Sequence, residues 1–372
     1  MGCLVKADPA FSTVPISGLA LPGSHNAGTF NLDPGSFDTQ SNSPCTDFTP
    51  EDATLGDSLN PFFETQDEMI TQQLDQGVRF VDLQVAYNGN GNPLSGWRVV
   101  QSQFSEWPLF DYLDQVAQWA RSNPSEVVIV DLRNVCYGDR SDPAIAAGLF
   151  SNFTTPSNVG GGSTTLADVA YDAGTSSAAF ASATIGEVVG QDGGGHNVVI
   201  MLPGSVTDLK SLESRYHVHV VVTENASSDA GSSDALPLAF SNAEVTPTSG
   251  SEVPAANQSL ASHPASTSPA QGSLVGVGFY VAQLAYQFDP AQQAALLAGF
   301  GGLILSTTVP GSTPPKVLAP WEESLWDPSA HGITALSRNE VAGGWGHRAG
   351  VILADGVEND GFAAAVIALN AK

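Results

Sequence analysis

Apolar residues recur along this 372-residue chain in two rhythms that take turns. Short runs rich in Val and Ile suit strands buried on both faces of a parallel sheet. They predict strands at 19–21, 79–85, 98–100, 127–132, 198–202, 217–223, 278–285, 303–305 and 351–354. Between them, apolar positions spaced three and four apart mark helices. Segment 108–123 carries Leu109, Phe110, Leu113, Val116, Ala117 and Ala120 as one stripe, and Asn123-Pro124 stops it. Asp289 followed by Pro290 reads as the N-cap and first residue of a helix over 291–300, and 362–370 reads as a closing helix. This alternation predicts a single α/β domain over 1–372, a (β/α)8 barrel in preference to a doubly wound sheet. Two stretches break the rhythm. Residues 154–194 and 225–273 are dominated by small and polar residues with Gly and Pro, and are expected to be long Ser/Gly/Pro-rich surface insertions.

Charge narrows the partners. The chain has 38 acidic and 12 basic side chains, a net charge of -26. Phosphate backbones are held by basic patches, so nucleic acid is excluded as a partner, and polybasic adsorption to an anionic membrane is disfavoured. No apolar run reaches eighteen residues, so no spanning helix is expected. Residues 1–6 lack the long apolar region of a signal peptide. The opening Met-Gly-Cys also falls short of a lipidation signal, because Lys6 stands where Ser or Thr is usual. The three cysteines, Cys3, Cys45 and Cys136, have no metal-ligand spacing and allow one disulfide. Export is expected on this composition. Sequons begin at Asn152, Asn225 and Asn257 and matter only in a eukaryotic secretory pathway. The glycine clusters at 160–162 and 193–195 do not sit between a strand and a helix as a phosphate-binding fingerprint requires.

The chemistry centres on His25, in Gly23-Ser-His-Asn-Ala-Gly-Thr29, where an apolar run ends in Pro-Gly and delivers an imidazole into a loop of small residues. Two further blocks follow in order: Gln73-Leu-Asp-Gln-Gly-Val-Arg-Phe-Val-Asp-Leu83, and 110–134, a helix ending in Asn-Pro-Ser-Glu before a strand. Together these blocks resemble the X-type catalytic domain of phosphatidylinositol-specific phospholipase C over about residues 16–135, and more weakly over 349–357. The resemblance implies a distorted (β/α)8 TIM barrel with its active site at the carboxyl ends of the strands. It implies a phosphodiesterase or lyase, acting on a phospholipid headgroup or another small phosphodiester. Bacterial members use one histidine as general base and a second as general acid, with an arginine or calcium ion at the phosphate.

Carried onto this chain, the resemblance makes His25 the general base, oriented by Asp355, with Asp82 as the acid of the second strand. Asn26 and Arg133 are expected at the phosphate. Two positions depart from the pattern. Gln84 stands where an arginine is expected, or a second carboxylate in calcium-dependent relatives, and Gln101 stands where the second histidine is expected. A carboxamide hydrogen-bonds a phosphate oxygen but exchanges no proton near neutral pH. The expected enzyme is therefore secreted, monomeric, free of cofactor and metal (calcium being the less favoured alternative), touching a membrane surface only transiently. A competing reading is an inactive barrel that binds a lipid headgroup or sugar. A third, a metal-dependent glycerophosphodiesterase or sphingomyelinase D-like enzyme, needs a paired carboxylate that Asp82-Leu-Gln84 lacks. His217 and His219 form a His-x-His pair expected on one face of a strand, with a structural role preferred over zinc. Arg79 is expected at the far end of its strand, and Trp107, Trp321, Trp326 and Trp345 are expected to pack in the core or at its rim.

Overall fold

Strand pairing organises the chain. The computed structural model describes residues 9–37, 63–89, 92–137, 142–157, 163–172, 180, 182–190, 195–206, 208–225, 236–242, 280–284, 351–354, 356–357, 362–368 and 370. The described strands are β1 (Leu21–Ser24), β2 (Leu32–Phe37), β3 (Phe80–Tyr87), β4 (Trp97–Gln101), β5 (Gln103–Pro108), β6 (Val128–Cys136), β7 (Val198–Pro203), β8 (Val221–Asn225), β9 (Leu236–Asn242), β10 (Tyr280–Leu284) and β11 (Val351–Ala354). They form one mixed sheet in the order β1-β11-β10-β9-β8-β7-β6-β3-β4-β5-β2. Every pairing from β1 through β11 to β3 is parallel, and β1 takes β3 as a second parallel neighbour. The β3-β4-β5-β2 extension is antiparallel. The helices are α1 (Ile70–Gln76), α2 (Leu109–Ser122), α3 (Pro143–Thr154), α4 (Leu166–Val169), α5 (Ile185–Gly190), α6 (Leu209–Tyr216) and α7 (Phe362–Ala368).

Side-chain alternation divides the parallel strands between two cores. Val81, Leu83, Val128, Val130, Leu132, Ile200, Leu202 and Ile352 face the helices, packing with Leu113, Val116 and Ala120 of α2 and with α3 and α7. At about 1.5–3 kcal/mol for each large apolar side chain, this burial outweighs the few tenths that intrinsic helix propensity contributes per residue. The opposite face carries Leu21, Phe80, Ile129, Val199, Met201, Val221, Val351 and Leu353. This inner cluster is closed by Ile16 and Leu19 from the N-terminal segment and by Ile185 and Val188 of α5. Gly77 ends α1 in the left-handed conformation (φ 115°), which glycine adopts without strain, and turns the chain into β3.

Several expectations are revised. Strands 79–85, 127–132, 198–202, 278–285 and 351–354 and helix 108–123 are observed within a few residues of their expected bounds. Leu236–Asn242, expected inside an insertion, is a strand paired to β8 and β10. Its Pro and Ser content hid it, and parallel pairing on both sides overrides that local composition. The other expected insertion supplies α4 and α5 and the fully buried Phe180 and Ile185. The expected strand 217–223 starts only at Val221. His217 is the left-handed cap of α6 (φ 55°), and His219 is half-exposed, 3.5 Å from Asp172, so the two do not share a strand face. Asn152 is buried and fully engaged: it donates to Gly148 O and Leu94 O and accepts from Phe110 N, which leaves its sequon closed to modification in the fold. Trp107 packs on Phe30 and Tyr112, with centroids at 5.7 and 5.8 Å. Arg79 lies at the start of β3, bonded to Glu126 at 3.0 Å and stacked on Trp119. Cys136 is disulfide-bonded. The expected strand 303–305, helix 291–300, Trp321, Trp326 and Trp345 lie outside the described residues.

A Cβ on Gly23 would fall on the side chain of Leu353 and 3.1 Å from Val351 Cγ1, so the missing side chain lets β11 close against β1. Both neighbours are fully buried and have nowhere to move. Gly23→Ala is expected to cost about 1–3 kcal/mol, read as a lower urea midpoint at unchanged slope. On α2, Asp114 is held above the ordinary carboxylate range chiefly by desolvation, with hydrogen bonds from Ser157 and Gln118 opposing and the neighbouring Asp111 reinforcing. The folded state therefore binds this proton more tightly than the unfolded chain, and the carboxylate's cost grows as pH rises through the folded value. Asp114→Asn is expected to stabilise near neutral pH, with an advantage that shrinks as pH falls through the ordinary carboxylate range; urea midpoints across pH test the sign.

Candidate active site

The end of β1 is fixed atom by atom. His25 N donates to Ala354 O at the end of β11 (3.0 Å), and Ala27 N donates to Asp82 O of β3 (2.8 Å). Asn26 adopts a left-handed backbone (φ 46°), which asparagine tolerates better than most residues, and its N–H donates to Asp82 Oδ2 (3.2 Å). The carbonyls are held too. His25 O accepts from Thr65 Oγ1 and Gln66 Nε2, each at 2.9 Å, and Ala27 O accepts from Gln73 Nε2 at 2.9 Å. Gln73 Oε1 takes the Ser24 hydroxyl at 2.5 Å. Every main-chain polar group from His25 to Ala27 thus has a partner, as a buried loop requires.

Four of the expected site residues meet here. Asn26 Nδ2 donates to Gln101 Oε1 (3.0 Å) and faces His25 Nε2 (3.3 Å). An amide nitrogen only donates, so this contact is a hydrogen bond in the tautomer that leaves the lone pair on Nε2. Asp82, 1% exposed, closes the group from below by binding the Asn26 main chain. Gln101 ends β4, and Ser102, the single residue between it and β5, is also left-handed (φ 58°). Two of the four non-glycine positive-φ residues among the described residues therefore border this group, and backbone strain of this kind concentrates at functional sites.

Gln84 lies one layer higher on β3, its Oε1 accepting from Asn134 Nδ2 of β6 (3.2 Å). Between these strands the register slips. Asp82 pairs with Asp131 and Gln84 with Asn134, so β6 carries one extra residue across the interval that holds Leu132 and Arg133. Arg133 is thus placed in the bulge beside the site by the main chain. The Arg133 side chain and Asp355 lie outside the described residues.

The structure adds residues that the sequence reading missed. Asp131 is fully buried beside Asp82, and its signal was legible as a second Val-Asp-Leu, 130–132, whose Val130 and Asp131 pair with Val81 and Asp82. Thr65 and Gln66 left no periodic signal, because they act from an irregular segment ahead of α1. Among the described residues, no group of three or more His, Cys, Asp or Glu side chains could hold a metal ion. A cleft of about 510 Å³ lined by Pro93, Leu94, Ala147, Arg215 and Tyr216 lies apart from His25. Its lining contains no acid–base pair.

The family model described as PI-PLC X 1 matches residues 51–144, the stretch that carries Asp82, Gln84, Gln101 and Arg133. PI-PLC X domain-containing protein 1 of Mus musculus is 31% identical over 128 residues, 34% of this chain and 37% of that protein. Its Danio rerio counterpart is 32% identical over 130 residues, 32% of this chain and 40% of that protein. The match therefore spans less than half the length of these curated relatives. A variant of phosphatidylinositol-specific phospholipase C from Staphylococcus aureus superposes with a TM-score of 0.50 at 12% identity, over 96% of this chain and 94% of that one, a likeness of fold alone. Residues 51–144 of the chain are thus similar to the X domain of phosphatidylinositol-specific phospholipase C.

Proposed function

We propose that this chain is a phospholipase C-like phosphodiesterase, with His25 as general base on a hydroxyl of a phospholipid headgroup or another small phosphodiester. The observation that carries the reading is the immobilised loop after β1, in which His25 Nε2 lies 3.3 Å from the Asn26 amide that also holds Gln101. Asp355 follows Ala354 in the chain, and the Ser24–Ala354 register makes it the residue after β11 as His25 is the residue after β1. This supports the orienting role given to it. Arg133, in the β6 bulge, is the cation proposed for the phosphate, where a guanidinium makes charge-assisted, bidentate contacts. The double pairing of β1 with β11 and β3 supports a distorted (β/α)8 barrel with these residues at its carboxyl end. The disulfide at Cys136 supports a secreted setting. Gln84, in place of a second carboxylate after Asp82, supports a metal-independent reaction.

Gln101 sets the expected rate. A neutral amide cannot protonate a leaving group, and a missing general acid removes typically ~10²–10⁴ of rate. The enzyme is therefore expected to be slow on phosphatidylinositol, and Gln101→His to raise kcat. His25→Ala is expected to lower kcat by about 10²–10⁴-fold. Arg133→Gln is expected to cost more than Arg133→Lys, because lysine keeps the charge and loses only the fork. Phosphatidylinositol vesicles and soluble inositol phosphodiesters, with calcium and with chelator, are the assay. Full activity in His25→Ala sinks the general-base role, and loss of activity on chelation sinks metal independence. A second reading is favoured by the amide pairs Asn26–Gln101 and Gln84–Asn134, which present neutral hydrogen-bonding groups: a barrel that binds a headgroup or sugar without turnover. Calorimetric binding of inositol phosphate with no cleavage of any substrate is its expected signature.

A further inference from the structure

Gln66 is 1% exposed and spends its whole amide on main chain. Nε2 donates to His25 O and to Ala354 O, both at 2.9 Å, and Oε1 accepts from Val357 N at 3.1 Å. Its neighbour Thr65 works on the same two loops. Thr65 Oγ1 donates to His25 O (2.9 Å), Thr65 O accepts from Gly356 N (2.7 Å), and Thr65 N donates to Thr29 Oγ1 (2.9 Å). One dipeptide outside the barrel strands therefore grips the chain on both sides of position 355 and, at the same time, the main chain of His25.

We propose that Thr65-Gln66 is a positioning clasp, with Gln66 the residue that sets His25 against the β11 loop. The inference rests on the phosphodiesterase reading for its effect on rate. The chemistry of the side chain is specific. Two donors and one acceptor are needed within one planar group, and among the natural side chains of this length only glutamine offers both. Ionised glutamate would turn acceptors toward two carbonyl oxygens, and lysine would leave Val357 N unserved. Removing the amide need not unfold the loop, since His25 O keeps Thr65 and Ala354 O keeps His25 N. It frees one loop to move relative to the other, and a displacement near 1 Å costs on the order of 10²-fold in a positioned reaction.

The test uses the full chain on phosphatidylinositol vesicles, with Gln66→Met, Gln66→Glu, His25→Ala and, as a stability-matched control in the helix-side core, Val116→Ala. Gln66→Met is expected to lower kcat by about 10–100-fold with KM changed less than about twofold, while Val116→Ala keeps both. Gln66→Glu is expected to approach wild type as pH falls, judged as the ratio of the two rates at each pH, because the protonated carboxyl regains a donor. A folded Gln66→Met with wild-type kcat overturns the clasp and leaves the phosphodiesterase reading standing. If the wild-type chain cleaves nothing, or His25→Ala is fully active, the functional reading fails. The clasp is then judged by the NMR titration of the His25 ring, expected to differ between wild type and Gln66→Met; identical curves overturn it. If Gln66→Met does not fold, the pH-dependent ratio for Gln66→Glu decides, and a ratio flat with pH overturns the proposal.

Discussion

The hydrogen bond from His25 N to Ala354 O is the constraint on which the site depends. It continues the parallel ladder of β1 and β11 one residue past the strands, so the imidazole is carried by the sheet itself and not by a free loop. Asp82 fixes the next two residues from the other neighbouring strand, through Asn26 N and Ala27 N. A histidine whose main chain is held between two strands in this way has little backbone freedom left, which is the condition for pre-organising a functional group.

Below that loop the inner face is layered. Val351 and then Phe80, Ile129, Val199 and Leu353 fill the lower levels, and the aligned Asp82 and Asp131 stand on the next level of β3 and β6, in register with Met201 of β7. Apolar filling below excludes water and strengthens every polar contact above it. The bulge that follows in β6 then breaks the alternation, so that Asn134 and not Arg133 is the register partner of Gln84. A strand without that extra residue would present a different side chain to the site. The two glutamines that stand where an arginine and a second histidine were expected, Gln84 and Gln101, are both tied to asparagines, Asn134 and Asn26. The group is thus wired as an amide network around one imidazole.

Much of this was legible locally. The apolar runs placed β3, β6, β7, β10 and β11 and the α2 stripe, because burial on one or both faces imposes its period on the sequence. His25, Asn26, Asp82 and Gln101 were identified from motifs, and the structure brings them within hydrogen-bonding reach of one another. Strands β2, β5 and β9 were not expected: β2 and β9 contain Pro34-Gly35 and Pro237, residues that disfavour strands locally, while pairing partners distant in sequence override that preference.

By itself, then, the sequence determined the strand–helix alternation, the acidic character and the identity of the chemical groups after β1 and within β3, because each is written in neighbouring residues. Tertiary structure alone decided what surrounds them. The clasp of Thr65 and Gln66 joins residues separated by 291 positions, from Gln66 to Val357. The register that sets Asp131 beside Asp82 is a property of two strands and not of either one. Hydrogen bonds between main chain and distant side chains leave no periodic trace, so only the folded chain shows which glutamine is a scaffold and which faces the site.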